Sequence, residues 1–186
     1  MSTSKHGKII GVKAVGIYAN TTFPIRLAIM TLSSNNKLEA ILTEAIDDEY
    51  KAQAIYRRVI HQFGDIAPFT NIAEAEGRHI EALLTLFNKY DIPVPRDEWI
   101  TKAEAPDTIL EACETGVSAE IENAAMYDKL LDAAADYPDV QTVLKNLQRA
   151  SQENHLPAFQ RCVERGGTPG RGQGIGRRRR QGRRGN

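Results

Sequence analysis

The sequence predicts an all-α protein, an antiparallel four-helix bundle made of two helical hairpins joined by a long crossover. Apolar residues recur at spacings of three, four and seven in four long segments, as on the buried face of a helix. Short turns link the first two segments and the last two, which is typical of antiparallel neighbours. A proline-containing link of about 16 residues separates the two pairs. The predicted helices cover about residues 36–63, 69–90, 107–135 and 139–165.

Helix-capping and helix-breaking residues set the predicted boundaries. Residues 33–36, Ser-Ser-Asn-Asn, offer N-caps to the first helix, and Gly64-Asp65 ends it. The second helix begins between Pro68 and Asn71, and residues 136–139 turn the chain into the fourth. Within the fourth helix, Pro157 removes one backbone hydrogen bond, so we expect a bend just after His155.

Each predicted helix carries a metal-competent side chain near the middle of its apolar stripe. A buried carboxylate or imidazole is costly unless it is paired or bound to metal. Glu76 and His79 are three residues apart, so their heads point from one helix face toward one place. This pattern predicts a metal site inside the bundle, with five candidate ligands: Glu49, Glu76, His79, Glu120 and His155.

An internal repeat relates the first and third helices. Glu49–Tyr56 and Glu120–Tyr127 each place an alanine five residues and a tyrosine seven residues after the glutamate. A tyrosine two turns away lies on the same face and can donate a hydrogen bond to a ligand carboxylate. The alternative is an ordinary core aromatic with its hydroxyl at the rim, and the sequence leaves both interpretations open for Tyr56 and Tyr127.

These motifs resemble the ferritin-like superfamily and, within it, rubrerythrin-type di-iron proteins. They fit best an uncharacterised prokaryotic ferritin-like family, and the similarity covers about residues 36–165. The resemblance implies a di-iron carboxylate four-helix bundle, but it implies no particular reaction. It rests on Glu49 with Tyr56, on Phe69-Thr-Asn-Ile-Ala with Glu76 and His79, on Glu120, and on Asn154-His-Leu-Pro-Ala-Phe159.

The fourth helix departs from the full di-iron pattern, which has Glu-x-x-His on two helices. The position three before His155 is Gln152, the position four before it is Ser151, and Glu153 should point away from the core. The second half of the site therefore lacks a carboxylate. The remaining residues are expected to hold one metal ion, or two if water or an outside ligand completes the set.

The leading functional hypothesis is a non-haem di-iron or di-manganese carboxylate protein that oxidises Fe(II) or reduces O2 or peroxide. Whether the protein is an enzyme stays open, because no Cys-x-x-Cys pair exists and electrons would need an external donor. The alternative is a non-catalytic bundle for protein interaction. In that case the buried polar residues, such as Glu76 and His155, pair with one another.

The charges are divided unevenly along the chain. Residues 1–34 contain four basic and no acidic residues, and residues 166–186 contain seven arginines and no acid. Of the 24 basic residues, 13 therefore remain in the middle segment beside all 24 acidic ones, a net charge of −11. We expect residues 1–34 to be a loosely ordered extension and residues 166–186 a disordered Arg/Gly tail. Weak, salt-sensitive binding of nucleic acid or an anionic surface is one role for this tail, and simple solubilisation is another.

The remaining expectations concern the cysteines, the compartment and the crossover. Cys113 and Cys162 lie on apolar stripes and are interpreted as small buried hydrophobes. The chain has no run of 18 apolar residues, so no transmembrane helix is expected and the predicted compartment is the cytoplasm. Trp99 is predicted to anchor the crossover, and a homodimer is a possible assembly.

Overall fold

The computed structural model of the chain describes residues 22–168, with side chains from Asn36 onward. The chain divides into two compact units, residues 1–35 and 36–186, and the candidate site lies in the second. The described part is helical and contains no strand, which confirms the predicted all-α class. Its elements are α1 (Thr22–Phe63), α2 (Phe69–Lys89), α3 (Trp99–Lys102), α4 (Ile109–Ala133), α5 (Pro138–Ala150), a π-helical turn (Ser151–His155) and α6 (Leu156–Glu164).

Most predicted helix boundaries agree with the structure within a few residues. The first helix differs, because its backbone is helical from Thr22, ahead of the predicted start near residue 36. The predicted fourth helix is divided into α5, the π-turn and α6. The crossover contains the short helix α3, which the sequence pattern did not indicate. Residues 1–21 and 169–186, which hold most of the predicted extension and tail, lie outside the described part.

Local chemistry explains where the helices begin and end. A capping box starts α4: the Thr108 hydroxyl accepts from the Glu111 N–H, and the Glu111 carboxylate accepts from the Thr108 N–H, each at 3.1 Å. Gly64 ends α1 with a φ of +87°, and its N–H bonds to the Ile60 carbonyl. These contacts agree with the stop predicted at Gly64.

Two apolar clusters fill the interior, one toward each end of the helices. The first contains Leu42, Leu83 and Leu144, and the second contains Tyr56, Phe69 and Phe159. Along each of α1, α2 and α4, a short polar segment separates the residues of one cluster from those of the other. In the last part of the chain, α5 contributes to the first cluster and α6 to the second, and the π-turn lies between them. The polar candidates therefore form a layer between two apolar layers.

Side chains of α1 hold the crossover in place. The Trp99 indole N–H donates to the Asp47 carboxylate at 2.9 Å, and the Lys51 ammonium lies 5.7 Å from the Trp99 ring centroid. The Arg58 guanidinium donates to the Ile100 carbonyl at 2.9 Å. The predicted anchoring role of Trp99 is confirmed.

The prediction of two separate cysteines is wrong. Cys113 of α4 and Cys162 of α6 are both buried, as expected, but they form a disulfide with their Cα atoms 6.0 Å apart. The two helices pack closely here because Gly116 has no side chain. A β-carbon at Gly116 would lie 2.7 Å from the Phe159 ring. Among the described helices, none is both long and apolar enough to cross a membrane.

The disulfide should contribute substantially to stability. Its two cysteines are 49 residues apart, and closing a loop of that length in the unfolded chain is worth about 4 kcal/mol in the chain-entropy model. Cys113→Ala/Cys162→Ala should therefore lower the urea midpoint of unfolding and leave the helical circular dichroism unchanged. Reductant should lower the midpoint of the parent protein and leave that of the double variant unchanged. Equal midpoints for oxidised and fully reduced parent protein would contradict this expectation.

Candidate metal centre

The structure brings all five predicted ligands into the polar layer. Glu49 comes from α1, Glu76 and His79 from α2, Glu120 from α4, and His155 from the π-turn. The three glutamates and His155 are each no more than 4% exposed, and the His79 side chain is 14% exposed. Such burial of ionisable groups requires strong mutual interactions or a bound ion.

Glu76 lies at the centre of the cluster and contacts both imidazoles. Its Oε2 is 2.7 Å from His79 Nδ1, and its Oε1 is 3.2 Å from His155 Nδ1. Each histidine has a second carboxylate partner at the same nitrogen. His79 Nδ1 lies 3.1 Å from Glu49 Oε2, and His155 Nδ1 lies 3.6 Å from Glu120 Oε1. The Nδ1 atom of each ring thus faces two carboxylates.

The spacing of these atoms suits a small cation. One ligand atom from each of Glu76, His79 and His155 lies within 4.8 Å of the other two. Atoms bound to one transition-metal ion at about 2.1 Å are at most about 4.2 Å apart. Side-chain adjustments of at most about 0.6 Å, the difference between these two limits, would bring all three atoms within reach of one ion.

Two tyrosines link the outer carboxylates across the bundle. The Tyr127 hydroxyl donates to Glu49 Oε1 at 2.5 Å, and the Tyr56 hydroxyl donates to Glu120 Oε1 at 3.1 Å. Each tyrosine of the internal repeat therefore reaches the glutamate of the other helix, a partner that the sequence did not indicate. Burial and then the adjacent carboxylate raise the pKa of both phenols well above 10, so they remain donors.

The π-turn changes which residues face the centre. The Leu156 N–H bonds to the Ser151 carbonyl, five residues back, and Pro157 follows with no N–H. The wider turn places Ser151 and His155 inside and leaves Gln152, Glu153 and Asn154 exposed.

The assignment of Gln152 to the missing ligand position is therefore wrong, because it assumed the period of an α-helix. Ser151 occupies the inward position, and its hydroxyl donates to Glu120 Oε2 at 2.5 Å. Glu153 points outward as predicted. The second half of the site still lacks a carboxylate, since serine stands where the first half has Glu76.

Hydrogen bonding and burial have opposite effects on the pKa values of the glutamates and histidines in the polar layer. Burial alone would raise the pKa of Glu76, but the hydrogen bonds from His155 and His79 outweigh it and lower the pKa to about 2. Burial, together with the nearby charge of Glu76, raises the pKa of Glu49 to about 8. Burial opposes charge on the imidazoles, yet their carboxylate partners raise the pKa of His79 to about 10 and that of His155 to about 9. Without metal, these shifts favour the protonated forms of both histidines and of Glu49.

Two polar residues beside the centre were missed by the sequence analysis. Asp48 and Asn123 line a small cavity of about 40 Å³ that also reaches Glu49 and Glu120. The Asn123 amide donates to Asp48 Oδ2 at 2.7 Å, and its own Oδ1 is buried without a hydrogen-bond partner in the described structure. Burial raises the pKa of Asp48. Their positions in the sequence could have indicated them, because Asp48 is adjacent to Glu49 and Asn123 lies three residues after Glu120.

The metal-free protein should become less stable as the pH rises from 6 to 9. The pKa values of His79 and His155 are above their ordinary value of 6.5, and that of Glu49 is above 4.5. The contribution of the two histidines to the free energy of unfolding is therefore complete below about pH 6.5, and it is lost as the pH approaches 9 to 10. The Glu49 contribution is complete below about pH 4.5 and is lost as the pH approaches 8.

The measurement is the urea midpoint of chelator-treated protein between pH 6 and 9. Glu76 titrates below this range, so its lowered pKa does not affect the slope. His79→Asn/His155→Asn should give a flatter profile. A midpoint that rises with pH in the parent protein would contradict the assigned protonation states.

Sequence and structure comparisons identify relatives of unknown function. Residues 40–181 match the family described as an uncharacterized protein domain, DUF2202. The chain is 27% identical over 142 residues to the uncharacterized protein MJ0754 of Methanocaldococcus jannaschii, an alignment that covers 68% of this chain and 75% of the relative. The crystal structure of the hypothetical protein MJ0754 from Methanococcus jannaschii superposes with a TM-score of 0.62 at 24% identity. That superposition covers 71% of this chain and 82% of the other, and it shows similarity of fold.

The family match covers more than half of the chain and includes every residue of the polar layer. The protein is therefore a member of the DUF2202 family.

Proposed function

We propose that this protein is a ferritin-like bundle that holds one or two non-haem iron ions, or manganese ions, between its apolar clusters. The observation that carries the proposal is the convergence of three glutamates and two histidines in one largely buried polar layer. The proposed reaction is oxidation of Fe(II) or reduction of O2 or peroxide. Bound iron would supply the electron transfer and the binding of the oxidant.

The donor set fits this cofactor. Carboxylate oxygens and imidazole nitrogens are the ligands that non-haem iron and manganese sites use. A single ion would be held by Glu76, His79 and His155, whose ligand atoms lie within 4.8 Å of one another. With two ions, Glu49 with His79 would hold one and Glu120 with His155 would hold the other. Glu76 contacts both histidines and is the group placed to be shared.

The surrounding residues have supporting roles. Tyr127 and Tyr56 hold Glu49 and Glu120 by hydrogen bonds, which keeps one oxygen of each carboxylate oriented. The two apolar clusters limit access of water from either end of the layer. Asp48 and Asn123 border the small cavity next to Glu49 and Glu120, where a molecule the size of the oxidant has room.

The ferritin-like topology is part of the proposal. Single inward glutamates on α1 and α4 alternate with a Glu-x-x-His motif on α2 and a histidine in the π-turn. Four-helix di-metal proteins use this arrangement, with α5, the π-turn and α6 together acting as the fourth helix.

A non-catalytic bundle is the second candidate. It is favoured by the close Glu–His contacts, which already satisfy the buried charges as ion pairs in the absence of an ion. Polyanion binding by the arginine-rich tail, the possible working part of such a protein, remains a prediction for residues outside the described part. Metal content separates the two candidates directly.

Protein produced with iron in the medium should contain between one and two metal ions per chain by elemental analysis. Glu76→Ala or His79→Ala should reduce the bound metal by at least about tenfold, because each removes a central ligand. Glu153→Ala is the matched control: it removes an exposed carboxylate of the π-turn and should leave the metal content unchanged. Parent protein that contains no metal, and takes up no Fe(II) under anaerobic conditions, would support the non-catalytic candidate.

A new carboxylate at the π-turn should complete the second half of the site. Ser151→Asp places an acid at the inward position and should raise the metal content toward two ions per chain. Gln152→Glu makes the same change of charge at the neighbouring exposed position and should have no effect. An increase with Gln152→Glu alone would show that the π-turn adopts the α-helical register in solution.

A further inference from the structure

A groove crosses the surface between α2 and the segment formed by the π-turn and α6. The two histidines of the candidate site line it, together with Arg78 of α2 and Arg161 of α6. Asn71 and Asn154 add polar groups to the same groove. Glu153 of the π-turn also lines the groove, so its charged side chains, apart from the histidines, are two arginines and one glutamate. The groove therefore joins two candidate metal ligands to a surface on which positive charge predominates.

The histidine rings are oriented so that one edge can face this groove. The Nδ1 atom of each ring faces the carboxylates, so the opposite edge of the ring points away from them. The two rings lie nearly parallel, with their centroids 5.5 Å apart. Although buried by neighbours, they form part of the groove lining and are the candidate ligands that reach it.

The two arginines are available for an outside partner. Both side chains are exposed, and neither makes a hydrogen bond or ion pair with another residue in the described part of the chain. They stand out because the segment between residues 35 and 165 has a net charge of −11. Guanidinium groups bind carboxylates with two parallel hydrogen bonds, which suits recognition of an acidic surface.

The proposed function requires electrons from outside the chain. The cysteines of this chain form one buried disulfide, so they provide no thiolate set for an iron–sulfur centre. Regeneration of Fe(II) after oxidation by peroxide or O2 therefore needs a separate reductant.

We propose that this groove is the docking surface for an acidic one-electron carrier protein, with Arg78 and Arg161 as its anchors. The proposal rests on the function proposed above. Two carrier molecules each lose one electron when two Fe(III) ions become two Fe(II) ions, so electrons balance with no further reactant. Contacts of this kind are small, polar and salt-sensitive, as expected for a transient redox complex. A buried small-anion site fits the groove less well, because both arginines are exposed.

The first test measures binding without metal. The probe is an oxidised, acidic plant-type [2Fe–2S] ferredoxin, titrated into the metal-free full-length protein at low salt. Arg78→Glu/Arg161→Glu should weaken binding by about tenfold or more, because attraction becomes repulsion at the anchors. Arg57→Glu/Lys129→Glu is the matched control: it makes the same change of charge at exposed positions on α1 and α4 and should alter binding less than about twofold. Equal weakening by both double variants would overturn the groove as the docking surface.

The second test follows reduction of the iron-loaded protein. Reduced ferredoxin should reduce the groove variant about tenfold more slowly than the control variant. Hydroquinone, a neutral reductant, should reduce both at the same rate. A slower reaction of the groove variant with hydroquinone as well would overturn the docking role and indicate damage to the centre. If excess dithionite, a much stronger reductant than hydroquinone, detects no reducible iron in any variant, the proposed function itself fails, and the docking inference fails with it.

Discussion

The contact of Glu76 with two imidazoles is the constraint on which the rest of the structure depends. One buried carboxylate lies between His79 and His155, and Glu49 and Glu120 close the cluster on either side. Each of these groups would be costly to bury alone. The helices must therefore bring them together at one level, which explains why the apolar packing is interrupted at the same height on every long helix.

The cluster is close to symmetric, and its departures from symmetry are local. Glu49 with Tyr127 corresponds to Glu120 with Tyr56, and the histidines correspond in the same way. Symmetry fails at one position, where Ser151 stands opposite Glu76. The π-turn supplies the backbone reason. On α2 the two inward residues, Glu76 and His79, are three positions apart, whereas the wider π-turn brings Ser151, four positions before His155, to the corresponding place.

Helical periodicity was enough to predict the main helices and the convergence of the five candidate ligands, because each of these side chains interrupts a clear apolar stripe. The π-turn could not be predicted this way. Pro157 removes one backbone hydrogen bond whether the helix continues as an α-helix or as a π-turn. Both a bend and a wider turn can accommodate that loss, and the apolar pattern does not distinguish them. The disulfide was missed for a different reason. Pairing of Cys113 and Cys162 depends on which helices are neighbours and on the absence of a side chain at Gly116, neither of which a one-dimensional pattern records.

The position of the disulfide along the helices has a further consequence. Cys113 lies seven residues before Glu120 on α4, and Cys162 lies seven residues after His155. The covalent link is therefore two helical turns, about 10 Å, from the candidate ligand on each side. A bond at that distance restrains sliding and rotation of α4 against α6. The separation between Glu120 and His155 is therefore held by a connection that responds to the thiol–disulfide balance of the surroundings. The opposite pair, Glu49 and His79, is held by packing and hydrogen bonds alone.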